Sequence, residues 1–187
     1  YLAGVLGLRW SEVAGLRVGR IDFLRRTLEV TETLAEVDGR LQVADVKTRS
    51  SRRTLAVPPF LIEELALHLA TRIRPGPDEY VFTMPDGGPL RRANFRRRVW
   101  DPAVKATGLD GLTFHHLRHS AVGLMIDLGA HTKAIQERLG HSSVRTTMDV
   151  YGHVLPSTQE SLTAALEDAF GERRGLTAAC GSRAQLL

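Results

Sequence analysis

Between Ile21 and Val57 the sequence changes its period, and this change limits the fold more than any other feature. Leu28–Glu36, Leu41–Val46 and Thr54–Val57 are rich in β-branched and apolar residues, the composition of strands. Asp38-Gly39, between the first two runs, predicts a tight hairpin, because such turns need positive φ, which Asp and Gly tolerate. The second and third runs are joined by the polar, basic loop Lys47-Thr48-Arg49-Ser50-Ser51-Arg52-Arg53. The expectation is a small three-stranded antiparallel sheet inside an otherwise helical chain.

Either side of this segment the pattern is helical. Tyr1–Leu8 reads as the end of a helix closing at Gly7, and Ser11 as the cap of a short helix over Glu12–Leu16. After Pro58-Pro59, Phe60–Ile73 spaces Leu61, Leu65, Leu67 and Leu69 among acidic residues, as one face of a helix requires. Tyr80–Thr83 reads as a short extended piece. Helices are predicted over Arg91–Lys105, Phe114–Leu128, Thr132–Leu139, Val144–Val150 and Pro156–Phe170. The fold class is therefore α+β, mainly α-helical. Residues 1–170 read as one domain and 171–187 as a disordered tail. The chain opens on Tyr inside an apolar run, and so reads as the downstream part of a longer protein.

Composition narrows the class. At 187 residues, 43% apolar and 25% charged, the chain can bury a core without disulfides. No run approaches the roughly 20 apolar residues that span a bilayer, so no membrane partner is expected. Tyr1–Leu8 lacks the basic leader of a secretory signal. The one cysteine, Cys180, builds no disulfide framework and suits a reducing compartment, the cytoplasm. The net charge of +4 is modest, but 22 of the 25 cationic side chains are Arg, whose rigid fork of donors suits phosphate oxygens. A genome rich in G and C explains the same bias.

Motifs carry the argument further. On a helix, His115 and Arg118 of His115-His116-Leu117-Arg118-His119 share a face and aim at one small anionic group. In Leu139-Gly140-His141, Gly140 reads as a helix C-cap that places His141 in a tight turn. Tyr151 follows ten residues after His141, near a helix end marked by Gly152 and Pro156. Upstream, Arg9 lies at the junction of two short helices, where a buried guanidinium needs a partner, and Glu12 is one. Lys47 stands on the loop between two strands.

Taken in order, Arg9, Lys47, His115-x-x-Arg118, Leu139-Gly140-His141 and Tyr151 resemble the active-site pattern of the tyrosine recombinases, the phage-integrase family. The resemblance runs from residue 4 to about residue 170. Two positions depart from the family's habit: Leu6 where a Thr commonly stands, and His116 where an Asp often does. In the family, more helix and a separate helical DNA-binding domain normally precede the first Arg, and the expectation is that this sequence is truncated before them.

The resemblance implies a catalytic domain over residues 1–170, truncated at its N-terminus, that cuts and rejoins double-stranded DNA in recombination and integration of mobile elements. It implies six catalytic residues: Arg9, Lys47, His115, Arg118, His141 and Tyr151. Tyr151 would form a 3′-phosphotyrosine, and Glu12 would orient Arg9 or a neighbouring His. Arg49, Arg52 and Arg53 beside Lys47, and Arg91, Arg92, Arg96, Arg97 and Arg98, would contact the DNA backbone. Partners would be DNA and further protomers in a tetramer on it, at the nucleoid. No metal and no cofactor are expected, because guanidiniums supply the charge and no zinc motif is present. Two other readings share these residues: a type IB topoisomerase, and a DNA-binding remnant without catalysis.

Overall fold

The structure is a computed structural model that describes residues 1–45, 51–71 and 75–141, with Thr163, Ala164 and Glu167 beyond them. The chain divides into two compact units, residues 1–150 and 151–187. Of the second unit only those last three residues are described, and they are helical. The helices expected over Val144–Val150 and Pro156–Phe170 and the tail expected over 171–187 therefore lie largely outside the described residues.

The first unit is mostly helical with a small antiparallel sheet, as expected. Helix α1 spans Trp10–Ala14. Five strands follow: β1 Ile21–Asp22, β2 Thr27–Val30, β3 Glu32–Val37, β4 Arg40–Asp45 and β5 Arg53–Ala56. Then come α2 Pro59–Ala70, α3 Arg92–Phe95, a π-helical turn Arg96–Trp100, α4 Asp101–Ala106, α5 Phe114–Asp127 and α6 Thr132–Leu139.

The strands are arranged differently from the expectation. The three-stranded sheet is β1-β2-β5, and β3-β4 is a separate hairpin. The single run expected over Leu28–Glu36 breaks at Thr31, where the chain leaves one sheet for the other. Burial explains the partition. In β2, Leu28 and Val30 face the core while Glu29 is exposed, and in β5 Leu55 is buried opposite Leu28. β4 has no buried residue, so it offers the core no face, and pairs only with β3 across the turn Asp38-Gly39. Both turn residues take positive φ, 49° and 74°, as a two-residue hairpin demands. Leu34 is the buried anchor of that hairpin; its backbone packs so close to Gly15 that a Cβ there would lie 2.8 Å from the Leu34 amide.

One cluster of buried residues joins the opening segment, α1, the sheet and α2, with Leu6, Leu8, Leu28, Leu55, Leu61 and Leu65 among them. In α2, Pro59 takes the first turn, where its missing N–H costs nothing. Ile62 joins the buried face in place of Leu67, which is 65% exposed. Arg9, not Ser11, occupies the N-cap position of α1. The helix expected over Arg91–Lys105 exists but widens through its π turn. That turn brings Phe95 and Trp100 toward Phe114, at ring separations of 6.1 and 5.5 Å, and leaves Arg96, Arg97 and Arg98 exposed.

Candidate active site

Glu12 is the centre around which the site is built. It sits at the third position of α1, is 2% exposed, and accepts a hydrogen bond from the Arg9 amide at 2.8 Å. This closes the first helical turn. Its carboxylate also receives the Arg9 guanidinium at 3.0 Å. Arg53 of β5 grips both oxygens with two donors, at 2.9 and 3.0 Å. Arg118 of α5 stands at 3.9 Å. Burial alone would raise the Glu12 carboxyl. The hydrogen bond and charge of Arg53, aided by Arg9, outweigh that and hold it below the usual carboxylate range.

Arg118 is 4% exposed and is held by backbone carbonyls. One nitrogen donates to the carbonyl of Gly7. The other donates to the carbonyl of Leu139 at 2.8 Å and to His141 Nε2 at 2.9 Å. Gly7 makes this approach possible. Its φ is 75°, and a Cβ there would lie 2.6 Å from a Leu139 methyl, so only glycine lets the two segments meet.

His141 follows Gly140, whose left-handed φ of 65° ends α6. Gln136, 8% exposed, clamps it from both sides: the His141 amide donates to the Gln136 carbonyl at 3.1 Å, and the Gln136 side chain donates to the His141 carbonyl at 3.0 Å. Desolvation, then the charges of Arg118, Arg9 and Arg53, push the imidazole down to about 4. It is therefore neutral at pH 7, with Nε2 accepting from Arg118 and its proton on Nδ1.

His115, three residues before Arg118, lines with Arg9 a cavity of about 930 Å³. Desolvation, then the charges of His119, Arg118 and Arg9, keep its pKa below that of a free histidine. One wall of the cavity is the β3-β4 hairpin; the opposite wall carries Arg92, Arg96 and Arg97.

The structure thus brings Arg9, Glu12, Arg118 and His141 together, and His115 shares a cavity lining with Arg9. Lys47, Arg49 and Tyr151 lie outside the described residues. The arginines expected at DNA divide. Arg92, Arg97 and Arg98 are exposed, and so is Arg96, which also meets Asp101 at 3.4 Å. Arg52 is exposed, 3.9 Å from Asp45. Arg91 is committed to the hairpin, donating to Glu36 at 2.8 Å and to the Gly39 carbonyl at 3.1 Å. Arg53 turns inward: its side chain is 7% exposed and bound to Glu12. The sequence expectation grouped Arg53 with the loop, but it falls on β5, where alternation aims it at the buried carboxylate. Gln136 was missed as well. Its signal is a polar residue beside Ile135, on the helix face that also buries Leu139.

Chemically, three guanidiniums surround one carboxylate. The site carries an excess of positive charge that an anion would complete. At about 4 Å the Arg118 guanidinium would attract a unit anion by roughly 4 kcal/mol at an effective permittivity of 20. Arg9, whose side chain is 37% exposed, would give less. Among the described residues no cluster of three or more His, Cys, Asp or Glu could hold a metal ion, and no helix is long and apolar enough to cross a membrane.

Comparison with known proteins finds relatives of this chain. The ICEBs1 integrase of Bacillus subtilis (strain 168) is 34% identical over 177 residues, covering 89% of this chain and 47% of that protein. Tyrosine recombinase XerC of Corynebacterium glutamicum is 48% identical over 149 residues, covering 79% and 43%. The chain thus spans about half the length of the curated relatives it matches. In fold it is similar to the Tn1549 transposon integrase solved with circular intermediate DNA, with a TM-score of 0.75 at 23% identity over 90% of this chain and 57% of that one. The model of the phage integrase family matches residues 2–158, and with that match the chain belongs to the phage integrase family.

Proposed function

We propose that this chain is the catalytic domain of a tyrosine-type site-specific recombinase that cuts and rejoins double-stranded DNA in integration and recombination. The observation that carries the reading is the gathering of Arg9, Arg118 and His141 around Glu12: both guanidiniums lie against its carboxylate, and Arg118 meets the His141 ring.

The chemistry follows from that geometry and from Tyr151 and Lys47, which complete the site by resemblance. The Tyr151 oxygen attacks the scissile phosphorus. The bond from phosphorus to the 5′-oxygen breaks, leaving a 3′-phosphotyrosine and a free 5′-hydroxyl. Arg9 and Arg118 hold the non-bridging oxygens, where charge gathers in the transition state. His141 donates a further hydrogen bond there, once the phosphate draws the Arg118 donor away and the imidazole carries a proton on Nε2. Lys47 gives its proton to the leaving 5′-oxygen. Tyrosine ordinarily loses its proton only near pH 10, and His115, neutral at pH 7, accepts it. The covalent bond conserves the phosphodiester's energy, so rejoining runs the same steps in reverse without ATP. Arg52, Arg92, Arg96, Arg97 and Arg98 steady the duplex through its phosphates, which positions it without reading sequence. A full exchange takes four protomers on paired sites, with Pro156–Phe170 docking onto a neighbour. Action on DNA would put the work in the cytoplasm, at the nucleoid.

The test is a suicide DNA substrate resolved on a denaturing gel. The native protein should form a covalent adduct, and Tyr151→Phe should form none while binding DNA almost equally well. An adduct that persists in the variant would assign the nucleophile elsewhere. Relaxation of supercoiled DNA without site preference would point to a topoisomerase, and binding without cleavage to a remnant.

A further inference from the structure

Arg53 has no part in the scheme above, yet its guanidinium joins three separate segments of the site. Two donors take both oxygens of Glu12. Its Nε donates to the carbonyl of Arg138 at 2.7 Å, one residue before the Leu139 carbonyl that receives Arg118 and three before His141. A further donor reaches the carbonyl of Ser51 at 3.1 Å, at the end of the loop that bears Lys47. Four donor contacts and 7% exposure leave this arginine little to offer solvent or a ligand.

We propose that Arg53 is a positioning residue that keeps Arg9 and Arg118 available to the scissile phosphate. A buried carboxylate draws every nearby cation toward itself. If Glu12 had only Arg9 and Arg118 as partners, its two oxygens would compete with the phosphate for their donors. Arg53 occupies both oxygens with a planar fork, which lysine, a point charge, does not reproduce. Arg9 then spends one nitrogen on Glu12, while Arg118 stays at 3.9 Å and is aligned by carbonyls of Gly7 and Leu139. By holding the Arg138 carbonyl, the same side chain sets the end of α6 and with it the place of His141. Arg53 thus acts through Glu12 and α6, without touching DNA.

The inference rests on the recombinase reading, and the experiment separates the two. Covalent cleavage by the native protein is measured first; without an adduct, it is the recombinase reading that fails. With the adduct established, Arg53→Lys is compared at saturating DNA, below its melting temperature. We expect the cleavage rate to fall on the order of 10²-fold, the scale of a small misplacement of reacting groups. The DNA dissociation constant should change less than about 3-fold, and its salt dependence should not change, since no phosphate contact is lost. A protein with a purely stabilising Arg53 would instead show a lower melting temperature and an unaltered saturated rate, which overturns the proposal. So would Arg53→Lys cleaving like the native protein, or weaker binding with a shallower salt slope. Should Arg53→Lys not fold, the Glu12→Gln/Arg53→Gln double variant removes the buried carboxylate together with the guanidinium that grips both its oxygens, and serves in its place. Its cleavage should fall below that of Glu12→Gln alone at unchanged DNA affinity, because the hold on the Arg138 carbonyl and so on His141 is lost as well; cleavage equal to that of Glu12→Gln would overturn the action of Arg53 through α6.

Discussion

At the scale of the residue, the informative group is the imidazole of His141. Partial burial, then the charges of Arg118, Arg9 and Arg53, hold it neutral down to about pH 4. In the unfolded chain it would take up a proton near pH 6.5. The folded pKa is thus depressed for a base, so between about 6.5 and 4 the unfolded state binds more protons and stability falls as the pH falls. The loss is about 1.4 kcal/mol per pH unit at most, for one proton. Urea unfolding across this range should show that slope, and His141→Gln should flatten it. NMR titration of His141 gives the direct measure: a midpoint near 4 in the free protein, moving upward when inorganic phosphate or DNA enters. A midpoint near 6.5 in the free protein would mean that the ring is neither buried nor surrounded by the arginines.

At the scale of the element, α6 and the opening segment depend on one glycine. Gly7 has positive φ and no room for a Cβ against Leu139, so Gly7→Ala combines backbone strain with overpacking. The cost should be roughly 1–3 kcal/mol, which lowers the melting temperature by at least about 3 °C in a chain of this size. The same change pushes Leu139, whose carbonyl aligns Arg118. Cleavage should therefore fall further than the folded fraction does. If activity tracks the folded fraction alone, Gly7 matters only to packing. The π turn at Arg96–Trp100 works in the same way: it aims the rings at Phe114 and frees three arginines.

At the scale of the whole molecule, the division after residue 150 bears on assembly. Among the described residues the main apolar cluster runs from Leu2 to Val81, with Phe114 packed against it, and removing Pro156–Leu187 should leave the first unit folded. If that segment docks on a neighbour, the truncated protein should still bind a single DNA site. It should lose the cooperative assembly of four protomers on paired sites, read by analytical ultracentrifugation. A large drop in melting temperature on truncation would instead make the segment part of its own core.

Periodicity and turn chemistry, which are local, determined much of this protein before any tertiary contact was considered. The Asp38-Gly39 hairpin, the span Thr132–Leu139 and the cap at Gly140 follow from residues adjacent in sequence, and the structure has them at those places. The shared face of His115 and Arg118 is equally a matter of helical spacing. Tertiary structure decided what depends on distant partners. Which strands share a sheet turned on which faces could be buried, and so β4 stood apart. Whether a given arginine serves DNA or the interior turned on its neighbours: Arg53 found Glu12, 41 positions away, and Arg91 found the hairpin. Loop composition does not distinguish a solvated guanidinium from a buried one, because the carboxylate that decides the matter is brought close only by folding.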